Sequence, residues 1–309
     1  MLKVIQQGFG GPEVLHVVES DRPAPRFGEI LIRVHAVSLN PVDVVVRSGA
    51  FALLGEPPFS VGWDVSGVVE AVGPGARFAP GDEVYGMPGF PYTEVGYAEY
   101  VTSPSRQVAR KPAALGHPQA AALPLAGLTA WQGLVQAAGV QPGQRVLVTR
   151  AAGGVGHLAV QIAKARGAHV TALAGASKLE FVRSLGADEV VDRRDAEATA
   201  ALADFDVVLD SNADGERSIG LLRPGGTLIS LTQHGDTALA EAVRSAGRRF
   251  AGISVEPDYA SLEALAGLVD AGQLVPHVSA LFPLADVAKA HALLEDGDTI
   301  GKIVLTLQD

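Results

Sequence analysis

The segment from Arg145 to Arg166 restricts the folds open to this chain more than any other. Arg145–Thr149 is a short apolar run that reads as a strand. It leads into Ala151-Ala152-Gly153-Gly154-Val155-Gly156, after which Val155, Ala159, Ile162 and Ala163 recur at helical spacing. The turn fits the pattern G-x-G-x-x-G, with Ala151 in the first glycine place, Gly153 in the second and Gly156 in the third. Gly153 lets the main chain approach a phosphate, and Gly156 lets the helix pack close to its strand. A helix opening near Val155 also directs free N–H groups and the positive end of its dipole to the same point. The order strand, turn, helix is what separates this motif from a glycine-rich chain reversal.

From Gln144 onward, strands alternate with helices. Strands are expected at 169–174, 189–192, 206–210, 227–231 and 250–255, and helices at 177–185, 195–203, 216–222, 236–246 and 258–271. This alternation predicts an α/β class, a doubly wound Rossmann-type parallel sheet of six strands covered on both faces. The first hundred residues are instead rich in strands and turns, with candidate strands at 14–19, 29–39, 66–72, 83–86 and 98–102. Gly10-Gly11-Pro12 and Gly73-Pro74-Gly75 punctuate them. A helix at 284–295 and a strand at 300–307 follow the completed sheet and are assigned back to the first domain. The expected organisation is a discontinuous β-rich catalytic domain, 1–116 and 278–309, and a dinucleotide-binding domain, 117–277. Loops at Ser48–Trp63 and Met87–Gly96 are long enough to wall a substrate pocket.

Composition removes several function classes. A net charge of −10 without a basic stripe speaks against a nucleic-acid partner. With no Cys, the chain has no disulfide, thiolate nucleophile or Cys-ligated metal, which fits the reducing cytoplasm. Residues 112–144 contain no Asp, Glu, Lys or Arg, yet Pro118, Pro124, Gly127, Gln132 and Gly133 interrupt them. The apolar runs fall short of the roughly 20 residues a membrane helix needs, so no membrane association is expected. No G-x-S-x-G elbow, G-x-x-x-x-G-K-[ST] loop or H-E-x-x-H pair is present.

The end of the second strand bears on which dinucleotide is held. An Asp or Glu there would bind the ribose hydroxyls of NAD, but the chain reads Ala172-Leu173-Ala174-Gly175-Ala176-Ser177-Lys178. Ser177 and Lys178 suit a 2′-phosphate, so NADPH is the expected cofactor. Ser177-x-x-Glu180 also has the form of a capping box that would start the next helix. His157 and Arg150 flank the phosphate turn, as contacts to it or as surface residues.

Several motifs in order resemble the medium-chain dehydrogenase/reductase superfamily, in its zinc-independent quinone oxidoreductase branch. They are residues 29–43 (Glu29 through Asn40-Pro41-Val42-Asp43), Arg47-Ser48-Gly49, Gly73-Pro74-Gly75, Pro80-Gly81-Asp82-Glu83-Val84, Gly96-Tyr97-Ala98-Glu99-Tyr100, the turn at 151–156, and Gly301-Lys302-Ile303-Val304-Leu305. The resemblance spans essentially the whole chain and implies a GroES-like first domain. Zinc members of the superfamily bind metal with a Cys and a His where this chain has Asn40 and Trp63, and neither ligates zinc, so no metal is implied.

The resemblance implies NADPH-dependent hydride transfer to a quinone or an α,β-unsaturated carbonyl, whose conjugation spreads the developing charge without a Lewis acid. It places Asn40 near the nicotinamide and the substrate carbonyl, where its amide would donate to a developing oxyanion. It places Thr129 on the nicotinamide side. Asn212 and Thr232 follow strands of the parallel sheet, at the edge where ligands bind. The cofactor set is thus Thr129, Ala151, Gly153, Gly154, Val155, Gly156, Ser177, Lys178, Asn212 and Thr232, and the substrate pocket Asn40, Phe51, Trp63 and Tyr92. Many quinone reductases of this branch carry a Tyr after Arg-Ser-Gly, where this chain has Ala50 and Phe51. Asp43 and Arg47, four apart, are expected to pair on a helical turn. Enoyl-thioester reduction and non-catalytic NADPH binding are the alternative functions. Relatives pair through an edge strand of the cofactor sheet, so a homodimer through 249–255 is expected.

Overall fold

The computed structural model describes residues 1–92 and 96–307. Thr93, Glu94 and Val95, in one of the loops expected to wall a pocket, lie outside them. In chain order the first elements are β1 (Leu2–Gln6), β2 (Leu15–Glu19), β3 (Glu29–Ser38), α1 (Pro41–Arg47), β4 (Asp64–Val72), β5 (Glu83–Gly86), β6 (Tyr100–Pro104), β7 (Val108–Arg110), α2 (His117–Ala121) and α3 (Pro124–Trp131). The alternating part comprises β8 (Arg145–Val148), α4 (Gly156–Ala165), β9 (His169–Ala174), α5 (Leu179–Ser184), β10 (Glu189–Asp192), α6 (Ala196–Ala200), β11 (Phe205–Asp210), α7 (Gly215–Leu221), β12 (Leu222–Ser230), α8 (Thr237–Ser245) and β13 (Arg249–Gly252). The chain closes with α9 (Tyr259–Asp270), β14 (Val278–Pro283), α10 (Val287–Glu295) and β15 (Lys302–Thr306).

Two compact units result, one formed by 1–128, 256–270 and 276–309 and the other by 129–255 and 271–275. In the first, β3 is the organising strand. It pairs antiparallel with β4 along one side, and with β6 and β15 along the other. The larger sheet runs β14-β15-β3-β4-β5-β7, with β6 on β3, while β1 and β2 form a separate hairpin. Side chains Ile30, Ile32, Val34, Ala36, Val65, Val84 and Val304 are fully buried there. The closing strand β15 thus belongs to the first unit through its pairing with β3.

In the second unit the six strands run β10-β9-β8-β11-β12-β13, all parallel. The strand order reverses between β8 and β11, which makes the carboxyl ends of these two strands the switch point where ligands bind in open α/β sheets. Leu147, Val208, Phe205 and Leu228 of the sheet and Leu239 and Val243 of α8 share one apolar core. The charge-free stretch forms α2, α3 and a π-helical turn, Gln132–Ala137, with Leu123, Leu128 and Leu134 fully buried. No helix among the described residues is long and apolar enough to cross a membrane.

The division between units differs from the sequence reading at α9, which was placed with the dinucleotide-binding residues. Tyr85 Oη donates to the Leu262 carbonyl at 2.5 Å, and the Arg77 guanidinium lies over the Tyr259 ring, so α9 is held to the first unit. Burial raises the Tyr85 phenol well above its ordinary value, so it stays a donor. Tyr85→Phe keeps the ring and removes the hydrogen bond. It should cost about 1 kcal/mol in urea unfolding, and a variant as stable as the native chain would show that apolar packing alone seats the helix.

Candidate active site

The glycine-rich turn follows β8 at the switch point. The backbone N–H of Ala151 donates to the Leu173 carbonyl at 2.9 Å and that of Gly153 to the Arg150 carbonyl at 2.8 Å, which closes the turn. Arg150 adopts φ +48°, in the left-handed region, and its side chain is exposed. A Cβ on Gly156 would lie 2.7 Å from Ala151 Cα and closer still to the Arg150 carbonyl oxygen, so only glycine allows this approach. His157 is buried, and its Nδ1 pairs with the Gly153 carbonyl at 2.9 Å, so it braces the turn from behind. Thr149 Oγ1 donates to Leu209 O and accepts from Ser211 N at 2.8 Å, stitching the ends of β8 and β11 together.

Two observations fit a dinucleotide at this point. Helix α4 opens at Gly156 without a side-chain cap; in its first turn the His157 N–H donates to the Gly153 carbonyl at 3.0 Å and no side chain of this chain caps the rest, as an anion site at a helix start requires. Ser211 Oγ, at the same strand end, is buried without a hydrogen-bond partner. Asn212 is exposed just beyond it, with its N–H on Asp210 Oδ1, and Thr232 is exposed after β12. Thr129 is buried near the end of α3.

Beyond β9, Ser177 is exposed within a 3-10 turn, Ala176–Lys178, and α5 begins at Leu179 with no side-chain cap. The expected capping box is therefore absent: the 3-10 turn moves the helix start past Ser177. A Cβ at Gly175 would meet nothing within 4 Å. Parallel pairing brings a further pair of cations here. Arg193 N donates to Ala174 O at 2.8 Å, so exposed Arg193 and Arg194 follow β10 beside 175–178. Sequence reading missed them, although consecutive strands of a doubly wound sheet end side by side and adjacent loops could have been compared.

The first unit contains a buried polar cluster around Asn40. The Asn40 Nδ2 donates to Asp64 Oδ2 at 2.8 Å, and its Oδ1 accepts from Lys302 Nζ at 2.5 Å. Asp64 also accepts from Ser38 Oγ at 2.6 Å and, through Oδ1, from Leu125 N in the first turn of α3 at 2.7 Å. Burial lowers the Lys302 pKa, while Asp64 and Asp43 oppose that shift. Asn40 precedes Pro41, the first residue of α1, and its backbone N–H donates to Asp43 Oδ2 at 2.7 Å.

Asp43 and Arg47 do not form the expected ion pair. Asp43 is drawn inward to Asn40 N and to Tyr97 Oη, at 2.9 Å, while Arg47 pairs with Glu295 at 2.6 Å. The i,i+4 rule describes solvated helix faces, and both side chains here are buried. Arg47 Nη1 lies 3.0 Å from His291 Nδ1, and because arginine only donates, that nitrogen is the acceptor. His291 Nε2–H then faces Tyr97 Oη at 3.1 Å. Burial first, and the Arg47 charge second, push His291 down to about 3, consistent with a neutral ring. Trp63 is buried with its ring edge-on to Phe90 at 5.2 Å, Phe51 is 49% exposed and Tyr92 88% exposed. Among the described residues no three His, Cys, Asp or Glu side chains converge to hold a metal ion.

Comparison with known proteins agrees with this construction. A profile described as alcohol dehydrogenase GroES-like domain matches residues 26–113, and one described as zinc-binding dehydrogenase matches 185–305. A 2-methylene-furan-3-one reductase of Solanum lycopersicum is 36% identical, over 96% of this chain and 76% of its own. The structure of the quinone oxidoreductase from Coxiella burnetii has a TM-score of 0.93 and 36% identity, covering 99% of each chain. The chain belongs to the medium-chain dehydrogenase/reductase superfamily, in its zinc-independent quinone oxidoreductase branch. A more distant structure, Escherichia coli quinone oxidoreductase complexed with NADPH, is 27% identical with a TM-score of 0.86, covering 99% of this chain and 100% of its own.

Burial raises the Asp43 pKa from 3.8 to about 7, against the opposing pull of Asn40 N, Tyr97 and Lys302. The native state therefore holds a proton that the unfolded chain releases, and stability falls as pH rises from about 4 to 7. Asp43→Asn removes this titration. Its stability relative to the native chain should rise across that window, by up to ~4 kcal/mol at about 1.4 kcal/mol per pH unit. Chemical denaturation at pH 4.5 and 7.5 reads the difference, and a flat or falling one would contradict it.

Proposed function

We propose that this chain is an NADPH-dependent reductase that delivers hydride to a quinone or an α,β-unsaturated carbonyl compound. The observation that carries the reading is the uncapped start of α4, with Gly156 packed against Arg150 at the switch point of a six-stranded parallel sheet. When bound, NADPH supplies the hydride. The main chain from Ala151 to Gly156 binds the diphosphate, with Ser211 Oγ as a further donor. Ser177, Lys178, Arg193 and Arg194 receive the 2′-phosphate, while Thr129, Asn212 and Thr232 contact the rest of the cofactor. In the first unit, Asn40 donates from Nδ2 to the substrate oxygen as it gains negative charge. The proton that completes reduction comes from water.

The relatives support this acceptor class: the Coxiella burnetii neighbour is a quinone oxidoreductase, and the tomato relative is a 2-methylene-furan-3-one reductase. The Escherichia coli neighbour was determined with NADPH, which supports the choice of cofactor. Of the residues assigned to the substrate pocket, exposed Phe51 stands in place of the branch tyrosine, and Tyr92 and Trp63 complete the assignment. A cytoplasmic homodimer belongs to the same reading, with β13, the open edge of the second sheet, as the pairing strand.

An oxidation assay with NADPH and NADH across quinones, enones and enoyl thioesters tests the proposal. Turnover of quinones or enones with NADPH is expected. Exclusive turnover of enoyl thioesters would select the alternative substrate, and binding without turnover of any acceptor would select a non-catalytic role. Lys178→Ala with Arg193→Ala should weaken NADPH binding by calorimetry about 10-fold or more and leave NADH affinity unchanged. Equal losses for both nucleotides would remove these cations from the 2′-phosphate site.

A further inference from the structure

We propose that Lys302 is a positioning residue whose buried ammonium turns the Asn40 carboxamide so that its N–H, and not its oxygen, serves the substrate. The inference rests on the donor role of Asn40 given above. Lys302 comes from β15 and Asn40 from the β3–α1 junction, 262 residues apart in sequence. Only 3% of the Lys302 side chain is exposed. Its Nζ donates to Leu39 O at 2.6 Å and to Asn40 Oδ1 at 2.5 Å, and lies 3.6 Å from Asp64 Oδ2.

The oxygen and nitrogen of a carboxamide have nearly the same shape, so its orientation is decided by what its neighbours donate and accept. Around Asn40 the neighbours carry opposite charges: a cation at Oδ1 and a carboxylate at Nδ2. A turned amide would set its hydrogens against the ammonium and its oxygen against Asp64. Each misplacement is repulsive and buried, so one orientation is populated. Asp64 then takes one of the two hydrogens of Nδ2, and the second is the donor left for a substrate oxygen.

Space filling does not account for this lysine. A buried ammonium carries a desolvation cost that a methionine of similar length would avoid. What methionine lacks is a donor for Asn40 Oδ1 and for the Leu39 carbonyl that leads into it. The backbone of Asn40 is held separately by Asp43. Asp43 thus holds the Asn40 N–H, while Lys302 holds the carbonyl of the preceding peptide and, alone of the two, the side-chain oxygen.

The chain contains two asparagines, Asn40 and Asn212, so labelling with [15N]asparagine leaves two side-chain amide groups in an NMR spectrum. Asn40→Ala or the exposed variant Asn212→Ala assigns them. The Asn40 pair should show widely separated proton shifts and exchange with water at least about 10-fold more slowly than the Asn212 pair, as burial and charged partners require. A near-degenerate, fast-exchanging pair in the native protein overturns the proposal without any Lys302 variant. Lys302→Met should collapse the separation, and Lys302→Arg should retain it.

Kinetics separate the two layers of the argument. Asn40→Ala should lower kcat on the order of 100-fold, the loss typical of one oxyanion donor, with NADPH affinity kept. Lys302→Met should lower kcat by about 10-fold or more, and Lys302→Arg should recover most of it. In the Asn40→Ala background, Lys302→Met should change kcat by less than about 2-fold, since Lys302 then has no amide to orient. Losses that multiply would show that Lys302 acts elsewhere. Native kcat in Asn40→Ala would instead sink the role given to Asn40 itself.

Discussion

One buried carboxylate ties the first unit together. Asp64 accepts hydrogen bonds from Ser38 at the end of β3, Asn40 before α1 and the N–H of Leu125 in the first turn of α3, and it faces the ammonium of Lys302 on β15. Three segments distant in sequence, 38–40, the start of α3 and β15, therefore converge on the two oxygen atoms of Asp64. At the start of α3 the negative charge also meets the positive end of a helix, where it is favourable. Removing a single partner from a buried ion pair typically costs 3–5 kcal/mol, because the remaining charge is left unpaired.

The second unit is built around the opposite device, a place where side chains are missing. Gly156 has no Cβ because the Arg150 carbonyl occupies that space, and α4 starts without a side-chain cap. Cations are supplied around this region by loops and not by the sheet itself. Lys178 follows β9 and the Arg193–Arg194 pair follows β10, strands that lie side by side. A chain of net charge −10 can therefore bring three cations from two loops together without a basic sequence stripe.

Legibility in the sequence followed the distance over which each signal acts. The glycine-rich turn between β8 and α4 was readable because six contiguous residues carry it, and the parallel sheet because its strands and helices each have their own period. The strands β1, Leu2-Lys3-Val4-Ile5-Gln6, and β14, Val278–Pro283, are short and break strict apolar–polar alternation, and both were passed over. The start of α1 carries a local signal that the sequence reading did not use: Asn40 as N-cap, Pro41 in the first turn and an acid, Asp43, at the third position. The partners of these same residues could not be read. Lys302 meets Asn40, and Glu295 with His291 meets Arg47, across more than two hundred residues, and no local rule anticipates such pairs. Sequence spacing suggested Asp43 with Arg47 because it presumes that neighbours on a helix face have no better partners.

Those distant partners also determine how protons are arranged near Asn40. Arginine can only donate, so the path runs in one direction, from Arg47 through His291 to Tyr97 and on to Asp43 Oδ2. The same oxygen accepts the backbone N–H of Asn40, while Asp43 Oδ1 is buried and has no partner. A proton taken up by Asp43 would therefore settle on Oδ1, and both hydrogen bonds to Oδ2 would persist. Asp43 can change charge without releasing the start of α1. What changes is the field at Lys302 and Asn40, and the backbone geometry of Asn40 stays independent of pH while the electrostatics around it do not.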